Sequence, residues 1–206
     1  MKSDLPKIRL GVLISGSGTN LQTIIDRSER GELQAEVVCV ISNKADAFGL
    51  ERARKHGIAA IHLDHRTFSG RSEYDGALVK TLREFNVDLV ILAGFMRIVT
   101  PVLLDAFHSR VMNIHPALLP SFPGLDAQKQ ALEYGVKLSG CTVHFVDTGT
   151  DTGPIILQAA VPVLEGDTEK SLAERIHNEE HKLYPAAIQL FAEGRLKVEG
   201  RRVIIS

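Results

Sequence analysis

Short apolar runs alternate with amphipathic segments through the first half of this chain, and that alternation constrains the fold more than any other feature. Residues 8–14, 37–41, 58–63 and 87–93 are mostly apolar and rich in β-branched side chains, the pattern of strands buried on both faces. Between them, helical spacing runs from Leu21, with Ile24 and Ile25 on the same face, and again over 45–56 and 74–85. Gly57 stops the second of these helices. Strands and helices in turn, joined by short loops, predict a parallel sheet covered on both faces.

The second half changes character. Val111–His115 reads as one more short strand, ended by Pro116, and the Pro- and Gly-containing stretch 117–126 as a loop. A helix over 126–134 stops at Gly135. Residues 140–146 and 155–163 read as strands that pair antiparallel across the Gly-rich turn 147–154. A long helix over 168–192 is expected to turn Leu172, Ile176, Leu183 and Leu190 inward, to kink at Pro185 and to stop at Gly194. No repeat, low-complexity tract or linker divides the 206 residues. The expected fold class is therefore α/β: a single domain with a Rossmann-like, mostly parallel twisted sheet. Helices cover both faces, and antiparallel strands fall toward the C-terminal half.

Composition narrows the function. An apolar content of 44% is enough to offset the entropy of ordering, which excludes disorder for most of the length. The longest apolar run, 89–96, is far short of the ~20 residues a membrane-spanning helix needs. No basic-then-apolar leader opens the chain, no N-x-S/T sequon occurs, and Cys39 and Cys141 sit far apart in apolar stretches. Those features point to a reducing cytoplasm. Lys plus Arg total 24 against 25 for Asp plus Glu. Without a basic surplus nucleic acid is not expected as a partner, and small molecules are.

Two places carry chemistry. The first is the loop Ser15-Gly16-Ser17-Gly18-Thr19-Asn20 between the first strand and the first helix. Glycines allow close backbone approach, and a helix N-terminus offers unpaired N–H groups to an anion, so a phosphate site is the natural reading. A dinucleotide fingerprint would need glycine where Leu21 stands, and a P-loop would need Gly-Lys-Ser/Thr, which is absent. The alternative is a tight turn with no ligand. The second place is Asn113-Ile114-His115-Pro116, closing a buried strand. Asn113 and His115 point to one side, at the strand end where ligands gather in open parallel sheets. A hydrogen-bonded core histidine is the plainer alternative. Asp151, in the turn after residue 147, either caps its own backbone or partners His115. An amide, an imidazole and a carboxylate without a nearby nucleophile suit direct acyl-type transfer, with Asn113 and His115 on the developing oxyanion.

His177-Asn178-Glu179-Glu180-His181 matches the inverted zinc motif H-x-x-E-H. A catalytic zinc wants a third protein ligand, and the remaining acids there are Glu193 and Glu199. A solvated helix face, or a substrate contact from Glu180, is the expectation, with no metal.

Taken together, Ile14 to Gln22, Ser42 to Asp46, Ala93 to Arg97, Asn113 to Pro120 and the Asp151-Thr152-Gly153 turn resemble the phosphoribosylglycinamide formyltransferases, a folate-dependent family of purine biosynthesis. The similarity spans essentially the whole chain. It implies one formyltransferase domain over 1–206, with a phosphate-binding half at about 8–110 and a catalytic and folate-binding half at about 111–206. It implies Asn113, His115 and Asp151 as catalytic residues, with His115 as proton donor. Gly18, Thr19 and Asn20 would hold the substrate phosphate, and Glu180 its ribose or glycinamide end. Met96, Arg97, Ile98 and Val99 would line the folate pocket, with Asn113 beside it. Arg71 would contact the folate, and the turn from Asp147 to Asp151 would wrap its pteridine ring. The substrates implied are glycinamide ribonucleotide and 10-formyltetrahydrofolate, the latter as cosubstrate, with neither metal nor covalent intermediate.

Two departures stand out. Some relatives carry histidines where this chain has Asp126 and Gln128, and the residue before Asp151 is Thr150 rather than an apolar one. Formyltetrahydrofolate hydrolysis, transfer to initiator methionyl-tRNA and a non-catalytic nucleotide-binding module are the competing readings. The hydrolases usually add an N-terminal domain, for which a first strand at Ile8 leaves no room. The tRNA enzyme uses a C-terminal domain and basic surfaces, neither expected here. The oligomeric state stays open between monomer and homodimer.

Overall fold

The computed structural model describes residues 6–206. Among these residues nine strands form one sheet in the order β3-β2-β1-β4-β5-β6-β7-β9-β8. The first five, β1 (Ile8–Ile14), β2 (Ala35–Ser42), β3 (Ala59–His62), β4 (Leu89–Leu92) and β5 (Val111–His115), run parallel. β6 (Leu138–Phe145) pairs antiparallel with both β5 and β7 (Ile155–Pro162). β8 (Leu196–Glu199) and β9 (Arg202–Ile205) form a terminal hairpin, with β9 joined to β7. This is the expected α/β class, a mostly parallel sheet with antiparallel strands in the C-terminal half.

Period-two alternation divides each strand between two cores. On β1, Leu10, Val12 and Ile14 pack under α1 (Thr19–Glu29), α2 (Phe48–Lys55), α5 (Ala127–Tyr134) and α6 (Glu169–Ala192). Leu13 faces α3 (Arg71–Glu84) and α4 (Pro101–Ala106) on the opposite side.

Several boundaries differ from expectation. The second helix begins at Phe48 rather than residue 45, because Ala47 is extended and the Ser42 hydroxyl closes a turn with Lys44. α3 starts three residues early, at Arg71. α4, too short to show a period, and the hairpin β8–β9 were not expected. In β8–β9 the residues are mixed in polarity and half-buried or exposed, so the buried-strand signal is missing. α6 runs unbroken through Pro185, and its buried line is Leu172, Ile176, Glu180, Tyr184, Ala187 and Ile188. Spacing of three and four along that line takes in an acid and a tyrosine, and leaves Leu183 and Leu190 half-buried.

Candidate active site

From β1 the chain builds outward through β2 to β3, then returns to lay β4 on the other side of β1. The loops leaving β1 and β4 therefore diverge, opening a crevice at the carboxyl ends of the strands.

The glycine loop leaves β1 there. Gly18 has φ +70° at the N-cap of α1, and a Cβ on it would lie 2.9 Å from the Gly49 Cα. Only glycine allows that backbone approach, which the Gly49 N–H cements by donating to the Gly16 carbonyl at 3.1 Å. Arg52 braces the loop from α2, donating to the Ser17 carbonyl at 2.8 Å and to Gln22 at 3.0 Å. No side chain caps α1, so the N–H groups of its first turn are left without a capping side chain. The Asn20 side chain is already engaged: its Nδ2 donates to Glu180 Oε2 at 3.0 Å.

At the end of β5, Asn113 and His115 share a side as expected. Asp151 meets both: its Oδ2 lies 3.3 Å from His115 Nδ1, and its Oδ1 accepts from Asn113 Nδ2 at 3.4 Å. The Gly124 N–H donates to Oδ2 at 2.8 Å, and His144 Nε2 stands 3.7 Å from Oδ1. Burial alone would push the Asp151 carboxyl up. Hydrogen bonds from His144 and Gly124 and the imidazoles of His115 and His144 outweigh it, and the acid sits below its ordinary value. His115 Nε2 donates to the Phe122 carbonyl at 2.8 Å, which turns Nδ1 toward Asp151.

His144 was not singled out in the sequence. It faces Asn113 across the β5–β6 ladder, with its Nε2 3.2 Å from Asn113 Nδ2 and its Nδ1 2.8 Å from the Phe145 carbonyl. His144 is 2% exposed, and it lacks the strand-ending proline and paired amide that mark His115 in the sequence. Thr142, opposite His115, donates to the Ala117 carbonyl and accepts from the Leu119 N–H, which fixes the loop after Pro116.

The two acids of the 147–154 turn divide the roles. Asp147 caps the turn, accepting from the Gly149 N–H at 3.1 Å and the Thr152 hydroxyl at 2.6 Å. Asp151 does no local capping; it takes the left-handed conformation, φ +54°, and aims its carboxylate at β5. Gly153 makes this possible, since any Cβ there would collide with the Phe145 carbonyl.

Glu180 is 4% exposed on α6. Burial pushes its carboxyl up, against the hydrogen bond from Asn20 and the nearby rings of His177 and His115. One turn on, the Tyr184 hydroxyl lies 3.0 Å from the carbonyls of both Leu92 and Met112, locking α6 to β4 and β5 beneath the site. The rings of His177 and His181 stack at 6.3 Å, and among the described residues no three His, Cys, Asp or Glu side chains group as metal ligands. Met96 and Ile98 stand exposed after β4, Val99 is buried, and Arg97 lies over the Tyr74 ring. Arg71 opens α3 on the surface; Asp126 is exposed and Gln128 half-buried at the start of α5.

A doubly wound sheet with an amide, an imidazole and a carboxylate at its crevice defines a group-transfer fold, and residues 8–188 match the family model described as formyl transferase. The chain belongs to that family. The phosphoribosylglycinamide formyltransferase of Escherichia coli strain K12 is 49% identical over 187 residues, spanning 91% of this chain and 88% of that one. The solved glycinamide ribonucleotide transformylase 1 of Symbiobacterium toebii shares 61% identity with a TM-score of 0.96, over 97% of this chain and 94% of that one. The trifunctional purine biosynthetic protein adenosine-3 of Drosophila pseudoobscura pseudoobscura is 52% identical over 194 residues, and this chain spans 14% of its length.

Proposed function

We propose that the chain transfers the formyl group of 10-formyltetrahydrofolate to the amine of glycinamide ribonucleotide. The products are formylglycinamide ribonucleotide and tetrahydrofolate, in de novo purine biosynthesis. One observation carries the reading: Asn113, His115 and Asp151 meet at the end of β5, within electrostatic reach of a buried Glu180 that is bonded to the glycine loop. The family and the names of the relatives above support it.

The acceptor phosphate rests on the N-terminal N–H groups of α1 at Gly18, Thr19 and Asn20, with its ribose or glycinamide end toward Glu180. The donor lies along Met96, Arg97, Ile98 and Val99, near Asn113, with Arg71 outside and the turn from Asp147 to Asp151 against the pteridine. In this reading 1–206 act as one formyltransferase domain. The phosphate-binding half, about 8–110, and the catalytic and folate-binding half, about 111–206, share the sheet, and the reactants meet where β4 and β5 adjoin.

The amine lone pair attacks the formyl carbon and the carbonyl pair moves onto oxygen. Asn113 and His115 donate to that oxyanion, exchanging it for their present partners Asp151, His144 and the Phe122 carbonyl. Collapse breaks the bond to the folate nitrogen, which takes a proton as the new amide nitrogen loses one. His115 handles that proton, oriented by Asp151. Neither a metal nor a covalent enzyme intermediate is needed. Two free, buried cysteines support a cytoplasmic location.

The test is an absorbance assay with 10-formyltetrahydrofolate, run with and without glycinamide ribonucleotide. Turnover only with the acceptor selects transfer. Turnover without it selects the hydrolase, and silence in both selects a binding module.

A further inference from the structure

The segment between β4 and α4 is held at both ends by buried polar side chains from elsewhere in the chain. At its start, Ser15 at the end of β1 accepts the Met96 N–H through its Oγ at 2.9 Å. The same hydroxyl donates to Asn43 Oδ1 at 2.6 Å, and the Ser15 N–H donates to the Gly94 carbonyl at 3.0 Å. At its far end, Asp75 of α3 accepts the Thr100 N–H at 2.5 Å. Ser15 and Asp75 are 5% and 2% exposed. Between these anchors Arg97 lies with its Cζ 5.1 Å from the Tyr74 ring centroid, and Val99 packs into the α3–α4 core.

What the anchors hold is an apolar surface facing outward: Met96 is 64% exposed and Ile98 55%. Only three residues separate the anchored N–H groups, so few backbone dihedrals remain free and the two side chains keep their spacing. An apolar ligand docking on a surface already in shape loses less ordering entropy than one docking on a mobile loop. A carboxylate at position 75 is otherwise costly, since its neighbours along the buried face of α3 are Tyr74, Leu78, Val79 and Leu82. Its use is the Thr100 N–H, which no helical or strand partner satisfies.

We propose that Ser15 and Asp75 are positioning residues for the formyl donor. They hold residues 96–100 so that Met96 and Ile98 present a preformed wall to the donor's ring system. Ser15, the first residue of the glycine loop, also ties that wall to the loop that takes the acceptor phosphate. This inference rests on the reading above that Met96 to Val99 line the donor site.

Steady-state kinetics with the full chain tests it. Ser15→Ala and Asp75→Ala should each raise KM for 10-formyltetrahydrofolate about tenfold, with kcat changed less than about threefold. Asp75→Asn keeps an oxygen that accepts the Thr100 N–H, and should bring the donor KM back to within about threefold. Asp75→Ala should leave the acceptor KM unchanged. A purely structural role would instead lower the melting temperature with donor KM unmoved and no rescue by asparagine, and that result overturns the proposal. Met96→Ala and Ile98→Ala separate the two layers. If they leave donor KM unchanged, the donor-wall reading fails. If they raise it while Ser15→Ala and Asp75→Ala do not, the wall stands and the positioning role falls. Should Asp75→Ala not fold, Ser15→Ala, which removes one oxygen, decides alone.

Discussion

Asp151 Oδ2 stands 3.3 Å from His115 Nδ1, and the backbone N–H of Gly124 holds the same oxygen at 2.8 Å. The carboxylate thus orients the imidazole while itself being fixed from a third segment. His115→Ala should lower kcat by about 10²–10⁴, the usual worth of a placed general acid or base. Asp151→Asn keeps the shape and removes the charge, and should lower kcat by at least about tenfold. Circular dichroism should show both variants folded. Near-normal kcat in His115→Ala would remove the mechanism.

Two acids of the site should pull stability in opposite directions with pH. Asp151 sits below its ordinary value, so its stabilising share is present above the unfolded value, about 4, and is lost as pH falls through the folded one. Asp151→Asn should therefore destabilise the chain at pH 7, and the difference should shrink toward pH 3. Glu180 is pushed up by burial, so its unfavourable share is present at neutral pH and is relieved as pH falls through the raised folded value. Glu180→Gln should raise the melting temperature at pH 7 while raising the acceptor KM. Melting curves across pH check both; a Glu180→Gln variant less stable at pH 7 contradicts the burial argument.

Asn20→Ala should raise the KM for glycinamide ribonucleotide and leave the donor KM within about twofold. The variant removes the hydrogen bond to Glu180 as well as a loop side chain. A donor KM that rises instead would move the glycine loop out of the acceptor site.

Tyr184→Phe deletes one oxygen that serves two buried strand carbonyls, those of Leu92 and Met112. The expected cost is about 1–3 kcal/mol, read as a lower urea midpoint at constant slope. Coincident unfolding curves would mean the carbonyls find other partners.

How much of this was legible depended on the range of the signal. Val111–His115 was read to the residue, because an apolar run ended by proline is a local pattern. The β6–β7 hairpin was legible for the same reason, as two runs flanking a Gly-rich turn. The β8–β9 hairpin escaped because its side chains lie half in water and its strands follow no buried pattern. In the site, Asn113, His115 and Asp151 stood out as polar groups where packing or a turn was expected. His144 did not, although it lies opposite Asn113 in the ladder.

The sequence by itself determined the alternation of strands and helices, the glycine loop at the first crossover and the polar close of β5, since periodicity and turn chemistry act between neighbours. Tertiary structure alone decided which acid does what. Asp147 closes its own turn, while Asp151, four residues on, crosses to β5. Asn20 meets Glu180 across 160 residues, and Met96 meets Ser15 across 81. Such hydrogen bonds have no sequence period, because the fold sets them once the sheet order has brought distant segments to one crevice.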